Sequence, residues 1–365
     1  MEKTSMDRSY SSMWDLDTPA LVLDLDALEA NIAYMANFMA GASASLRPHS
    51  KTHKCAQIAR RQIAAGAVGI TCAKLGEAEA LAPVAPDILI ANQIVGPTKI
   101  GRLVRLRCQT DVMVAVDAAA NIDDLSAAAA AAGVTLRLLV EVDIGMGRCG
   151  VDTPEQALEL ARRVHGASGL VFAGLQGYEG HAVMIPEEEA RRAAAEKAMA
   201  KLTSARRFIE KSGLPVSIVS GGGTGTYKFT GNYPGVDEVQ AGSYATMDAR
   251  YGGIIPEFRP ALSVLATVVS KPNDDRVISD AGLKSITPEF GMPVVLQPEG
   301  LVTAKLSEEH GTHDGAGAAG LRLGDKILLQ PTHGCTTINL HDRYFVVQGE
   351  RVVDVWPVDA RGRSA

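Results

Sequence analysis

The sequence predicts an α/β protein: a closed (β/α)8 TIM-like barrel followed by an all-β domain. Three observations predict it. Between about residues 45 and 245, short runs rich in Val, Ile and Leu alternate with Ala/Glu/Arg-rich stretches of helical spacing. That alternation gives eight strand–helix units, and parallel strands joined by right-handed crossovers close into a barrel at this number. After about residue 250 the texture changes to apolar segments separated by turns, LSVLATVVSK, DRVISDAG, KILLQPTHGC and YFVVQGERVVDVW, with no long helix. An open doubly wound sheet is the competing arrangement for the first region.

Taken in order, Ala20–Asp24 either pairs into the β domain or leads into the barrel, and Ala27–Met39 supplies the eighth helix. The candidate strands are Leu46–Lys51, Gly69–Ala73, Asp87–Asn92, Val112–Asp117, Leu138–Asp143, Phe172–Tyr178, Val216–Gly221 and Glu238–Tyr244. Helices such as Gly76–Leu81, Ala118–Ala132 and Pro186–Ser212 fit between them; the run Ala127–Ala132 reads as a helix end before Gly133 rather than as disorder. The expected domains are 20–250, the barrel, and 251–365, the β domain, with 1–19 a candidate addition to the latter.

The 365 residues leave room for both domains, and 46 % apolar with 21 % charged residues is an ordinary globular balance. A formal charge of −6, from 36 Lys+Arg against 42 Asp+Glu, argues against a dedicated nucleic-acid or anionic-membrane binder. Five scattered cysteines, Cys55, Cys72, Cys108, Cys149 and Cys335, do not form a disulfide framework and point to a reducing compartment. The opening MEKTSMDRSYSSMWDLD lacks the apolar core of a signal peptide, and no apolar run reaches the length of a membrane span, so a cytoplasmic protein is expected.

Chemistry in such a barrel gathers at the C-terminal ends of the strands. The first candidate strand ends at Lys51, within RPHSKTHK. A lysine there is either a solvated loop residue or a desolvated amine able to form a Schiff base. The seventh strand runs into SGGGTGTY (Ser220 to Tyr227) and the eighth into AGSY (Ala241 to Tyr244). Small-residue turns in these places suit a phosphate, although glycines also simply shape tight turns. An amine on strand one and a phosphate cradle on strands seven and eight are what pyridoxal phosphate requires.

Two further motifs compete for attention. Gly145-Met-Gly147-Arg-Cys-Gly150 matches GxGxxG, the dinucleotide fingerprint, but opens the wrong unit and has no acid at the ribose position, Glu179 lying too late. In PTHGCTTINLHD, His333 and Cys335 form a His-x-Cys pair; on a strand these face one side and suit an open zinc site. A buried Cys335 with a hydrogen-bonded His333 is the bland alternative. His181, His310 and nearby carboxylates are candidates to complete the site, whereas His165 and His313 are expected to have ordinary surface roles.

DTPALVLDLDALEANI, RPHSKTHK, VDIGMGRCGV, SGGGTGTY, QAGSYATMDARYG, SDAGLK, PTHGCTTINLHD and VWPVDARG together resemble the D-threonine aldolase / D-serine dehydratase family, which includes 3-hydroxy-D-aspartate aldolases. The resemblance covers nearly the whole chain. It implies a fold-type III enzyme with an alanine-racemase-like barrel, pyridoxal 5′-phosphate and a divalent metal, Zn2+ being favoured by Cys335 and Mn2+ or Mg2+ the alternatives. It further implies that Lys51 carries the cofactor, that Arg148 approaches its phenolic side, and that Tyr178 lies beside ring or substrate. Gly222, Gly223, Thr224, Gly242, Ser243 and Tyr244 match phosphate-loop positions, Gln240 stands opposite the pyridine nitrogen, and His333 and Cys335 match the metal pair. Cys335 sides with the dehydratases of the family, and the aldolase histidine base aligns with Met184, leaving His181 as the candidate base. SGGGTGTY, the DARYG segment and the C-terminus look more like the aldolase branch. The expected activity is therefore a lyase of the D-threonine aldolase type on D-configured β-hydroxy-α-amino acids. A dehydratase giving keto acid and ammonia is the alternative, and a racemase or non-catalytic cofactor carrier the remote ones. In the aldolase route His181 or a metal-bound hydroxide takes the hydroxyl proton. A homodimer is expected from the resemblance, with small amino acids as the partners.

Overall fold

The computed structural model describes residues 10–365; the first nine residues of the 1–19 addition lie outside it. The chain divides into two compact units. One comprises Tyr34–Lys51, Ala56–Gly242 and Arg363–Ala365; the other comprises the chain up to Ala33, Thr52–Cys55 and Ser243–Gly362.

The first unit holds eight parallel strands. Their order across the sheet is Ser45–Leu46, Glu238–Val239, Ile218–Gly221, Leu170–Gln176, Leu136–Glu141, Asp111–Val116, Asp87–Gln93 and Ile70–Cys72. The two ends of this order meet. Thr71 N–H donates to Pro48 O at 2.9 Å and Ser50 N–H donates to Thr71 O at 2.8 Å, while on the opposite flank Arg47 and His49 N–H donate to Val239 O and Ala241 O. The ladder is thus closed through Arg47–Ser50, although the regular strand predicted as Leu46–Lys51 shortens to Ser45–Leu46, because Pro48 has no N–H to offer. The predicted Glu238–Tyr244 likewise keeps only Glu238–Val239 as regular strand.

The other strands start within two residues of their predicted positions, and the helices Leu75–Leu81, Ala119–Ala132 and Glu188–Lys211 fall where helical spacing placed them. The alanine-rich helix ends at Gly133, whose φ of 65° is the left-handed cap that stops it. Leu89, Met113, Leu139 and Ala173, from four adjacent strands, pack into one interior layer.

Charge fills the opposite end. Arg47, 2 % exposed, forks onto both oxygens of Glu238 (2.9 and 2.7 Å) and reaches Asp87 Oδ1 at 2.9 Å. Arg137 joins Asp87 to Asp111 at 2.9 and 2.8 Å. Glu238, Asp87 and Asp111 are the first residues of their strands, so these arginines tie strand starts together and leave the strand ends for other work.

The second unit is built on a nine-stranded sheet among the described residues. Its main path runs Val302–Leu306, Gly311–Asp314, Arg276–Ser279, Leu262–Asn273, Ala20–Asp24, Arg343–Gln348, Arg351–Pro357, with Lys326–Gln330 branching from Leu262–Asn273 and Val294–Gln297 pairing in turn with Lys326–Gln330. The sequence left Ala20–Asp24 with two possible places; it lies here, antiparallel to Leu262–Asn273 and parallel to Arg343–Gln348. Met13 and Leu16 pack on Ala20, Val22, Leu265 and Val347.

His313 corrects an expectation. It is fully buried, not superficial, because strand Gly311–Asp314 alternates and places it inward between Ser279 Oγ (2.9 Å from Nε2) and Thr303 Oγ1 (3.2 Å from Nδ1). Two hydroxyls can satisfy either neutral tautomer. Burial lowers its pKa to about 4, only partly offset by Asp314. The unfolded chain takes up the proton first, near pH 6.5, so this residue's contribution is complete above that pH and lost as the pH falls towards 4. His313→Gln should flatten the acid limb of stability by on the order of 3 kcal/mol between pH 7 and 4, measured by denaturant melts; parallel profiles for the two proteins would contradict this.

Candidate active site

In the barrel unit the strand ends gather the predicted groups. Lys51 directly follows the closing segment, and its Nζ lies 5.5 Å from the centroid of the Tyr178 ring. The guanidinium of Arg148 lies 5.8 Å from the same centroid, so two cations share one aromatic group. Arg148 is presented by a tight turn. Asp143 Oδ1 accepts the N–H groups of Gly145, Met146 and Gly147 at 2.9, 2.9 and 3.1 Å. Burial pushes the Asp143 carboxyl up, but the backbone donors outweigh this and hold it below the usual carboxylate range. The GxGxxG donors are therefore spent on the protein's own carboxylate, which is why this motif is not a dinucleotide loop. His181 packs over the same turn: a Cβ on Gly145, whose φ is 123°, would sit 3.0 Å from His181 Cε1.

Gln240 is buried, and its amide donates to Ser220 Oγ at 2.9 Å and to Gln176 Oε1 at 3.4 Å, which fixes its orientation across three strand ends. Gly222, Gly223, Thr224 and Gly242 are buried in the small-residue turns, as the sequence placed them. Two of the expected phosphate donors are nevertheless engaged within the protein: Gly222 N–H donates to Glu179 and Gly223 N–H to Thr226 Oγ1. Sequence reasoning missed a carboxylate group at adjacent strand ends. Glu141 accepts from Gln93 Nε2 at 2.5 Å, and Asp117 accepts from the same amide at 3.3 Å and from Gly150 N–H at 3.0 Å. Burial raises the Glu141 pKa, Asp117 adds to this, and Gln93 and Arg148 oppose it. The available signal was position: Gln93 and Glu141 close their strands, and Asp117 follows its own.

The second unit carries the remaining groups. Ser243 and Tyr244 are buried there, Tyr244 tilted against Phe258. His333 and Cys335 are not on a strand, as the i, i+2 argument supposed. His333 is the extended N-cap residue of the short helix Gly334–Ile338, and Cys335 lies in that helix's first turn. Asp248, 1 % exposed, accepts from Tyr251 N–H and Gly334 N–H, and its Oδ2 lies 3.5 Å from His333 Nδ1. Burial opposes charge on His333, but Asp248 and the Cys335 thiol override it and raise the imidazole to about 10. The Cys335 thiol donates to the hydroxyl of Thr52, the residue after Lys51 in the chain, and Phe290 stands edge-on to the His333 ring. Among the described residues no three His, Cys, Asp or Glu side chains form a ready metal cage. The buried Nδ1 of His333 makes no hydrogen bond, and a carboxylate behind an imidazole is the arrangement that orients a metal-binding histidine. An imidazole with a thiolate fits an open divalent site.

Residues 23–250 match the model of the alanine racemase N-terminal domain, and residues 261–347 match that of the serine dehydratase domain. The chain is 42 % identical to the D-threonine aldolase of Arthrobacter sp, over 96 % of this chain and 94 % of that one. The chain belongs to the D-threonine aldolase / D-serine dehydratase family. Within it, the 3-hydroxy-D-aspartate aldolase of Paracoccus denitrificans is 40 % identical, covering 96 % of this chain and 93 % of that one. The D-threo-3-hydroxyaspartate dehydratase of Delftia sp. is more distant, at 32 % over 93 % and 97 %. The crystal structure of D-threonine aldolase from Filomicrobium marinum superposes with a TM-score of 0.94 at 40 % identity, over 96 % of this chain and 98 % of that one. The fold-type III membership implies pyridoxal phosphate. No helix among the described residues is long and apolar enough to cross a membrane.

Gly145→Ala tests how tightly the Arg148 turn and His181 are coupled. The added methyl and the strained φ should cost about 1–3 kcal/mol of stability and shift the His181 imidazole resonances; an unperturbed imidazole spectrum would contradict the packing described.

Proposed function

We propose that this protein is a pyridoxal-phosphate- and metal-dependent aldolase that cleaves D-configured β-hydroxy-α-amino acids to glycine and an aldehyde. The observation that carries the reading is the placement of Lys51 at the closing strand of the barrel, with Tyr178 and Arg148 beside it. The greater identity to two aldolases than to the dehydratase favours carbon–carbon cleavage over dehydration.

In this reading Lys51 is the amine that holds the cofactor, and Arg148 supplies positive charge near its phenolic side. Gln240, a neutral amide held by Ser220 and Gln176, would face the ring nitrogen without bringing a full charge to it. Gly222, Gly223, Thr224 and Gly242 would form the small-residue turns that receive its phosphate, with Ser243 and Tyr244 the next residues of the chain. When bound, the cofactor supplies an electron sink for the carbanion left at Cα. His181 takes the proton of the substrate's β-hydroxyl, the Cα–Cβ bond breaks to release the aldehyde, and a proton returned to Cα completes glycine. His333, with the Asp248 carboxylate beside its Nδ1, and Cys335 would hold a divalent cation, zinc by ligand softness, that would act as a Lewis acid. A variant of a D-threo-3-hydroxyaspartate dehydratase has been solved in a metal-free form, which supports metal use in the family. The protein is expected to act as a cytoplasmic homodimer.

Dehydration is the second reading, favoured by Cys335 itself. There Lys51 removes the Cα proton and hydroxide leaves Cβ, giving keto acid and ammonia after hydrolysis. Incubation with D-threonine and D-serine separates the two. The aldolase reading expects acetaldehyde and glycine from D-threonine, loss of activity with a chelator, and a fall in kcat of on the order of 10²–10⁴ for His181→Ala. Keto acid and ammonia as the main products would contradict it.

A further inference from the structure

Glu179 is a fully buried carboxylate to which the proposed reaction assigns no part. It lies between Tyr178 and His181 in the loop after strand Leu170–Gln176. Its oxygens divide between two partners' sets. Oε2 accepts the N–H of Gly222 at 3.1 Å, while Oε1 accepts the hydroxyls of Thr226 and Thr230 at 2.7 and 2.9 Å. The Thr226 oxygen in turn accepts Gly223 N–H at 3.2 Å. A carboxylate is tolerated in such a place only when hydrogen bonds replace its water, and these three do so.

The same bonds set the shape of the glycine loop. Gly222 has a φ of 78°, and a Cβ there would lie 2.9 Å from Thr230 Cγ2; one on Gly223 would lie 3.0 Å from Val183 Cγ1. With Gly222 and Gly223 both tethered, the loop's first two N–H groups are turned inward and its course is fixed by Glu179, Thr226 and Thr230.

We propose that Glu179 is a positioning residue that preshapes the Gly222–Thr226 loop to receive a phosphate monoester and ties that loop to the segment carrying Tyr178 and His181. The proposal rests on the pyridoxal phosphate reading above. It is tested by titrating the cofactor-free protein with pyridoxal phosphate and, separately, with pyridoxal, which lacks the phosphate, and following absorbance. Glu179→Ala should weaken pyridoxal phosphate binding about tenfold or more while changing pyridoxal affinity less than about threefold. Thr226→Val, which keeps the carboxylate, should move the same way by a smaller factor, and it carries the test if Glu179→Ala does not fold. Wild-type affinities for both ligands in the variant, or equal weakening of both, would overturn the proposal. If the wild-type protein itself does not bind pyridoxal phosphate, the underlying reading fails instead, and the proposal with it.

Discussion

The segment Arg47–Ser50 is the constraint on which the candidate chemistry depends. Its backbone bonds to Val239 and Ala241 on one flank and to Thr71 on the other turn an eight-stranded parallel sheet into a closed barrel. Closure fixes where the chain emerges. Lys51 is the next residue, so its amine starts from a backbone held on both sides rather than from a free loop. The following residue, Thr52, is bonded to Cys335 in its own unit. A short stretch of chain thus anchors both the amine and a partner of the thiol by hydrogen bonds that do not depend on any ligand.

The barrel's two ends are organised by opposite rules. At the strand starts, Arg47 and Arg137 neutralise Asp87, Asp111 and Glu238 in direct ion pairs. Breaking the buried Arg47–Glu238 pair would leave an uncompensated charge, so this end resists change. At the strand ends there are no such direct ion pairs among these groups: Gln240 bonds Gln176 and Ser220, Gln93 bonds the carboxylates of Glu141 and Asp117, and burial raises the Glu141 pKa. Functional sites commonly keep polar groups in environments that stability alone would not choose. The contrast is internal support for placing the chemistry at the strand ends.

Much of this was legible in the sequence for physical reasons. Alternation of apolar runs with helical spacing reports a parallel sheet because each such strand is buried on both faces. Lys51 and the glycine turns stood out because they occupy strand ends where barrels place reactive groups, whereas Gln240 was implied by the family resemblance. What was not legible needed distances. His333-x-Cys335 reads as a strand pair, yet Asp248 accepts the Gly334 N–H and the chain turns into a helix there. His313 looked superficial because strand Gly311–Asp314 is short and its inward face is set by cross-strand hydroxyls 34 and 10 residues away. Glu179 looked like a failed ribose ligand because its partners, Gly222, Thr226 and Thr230, lie more than 40 residues further along the chain.

The most direct measurement of the account is where the cofactor attaches. Protein supplemented with pyridoxal phosphate, treated with borohydride and digested, should yield one pyridoxylated peptide, the one containing Lys51, and Lys51→Ala should yield none. A pyridoxyl group on another lysine, or an unmodified Lys51 in a protein that still binds the cofactor, would contradict it.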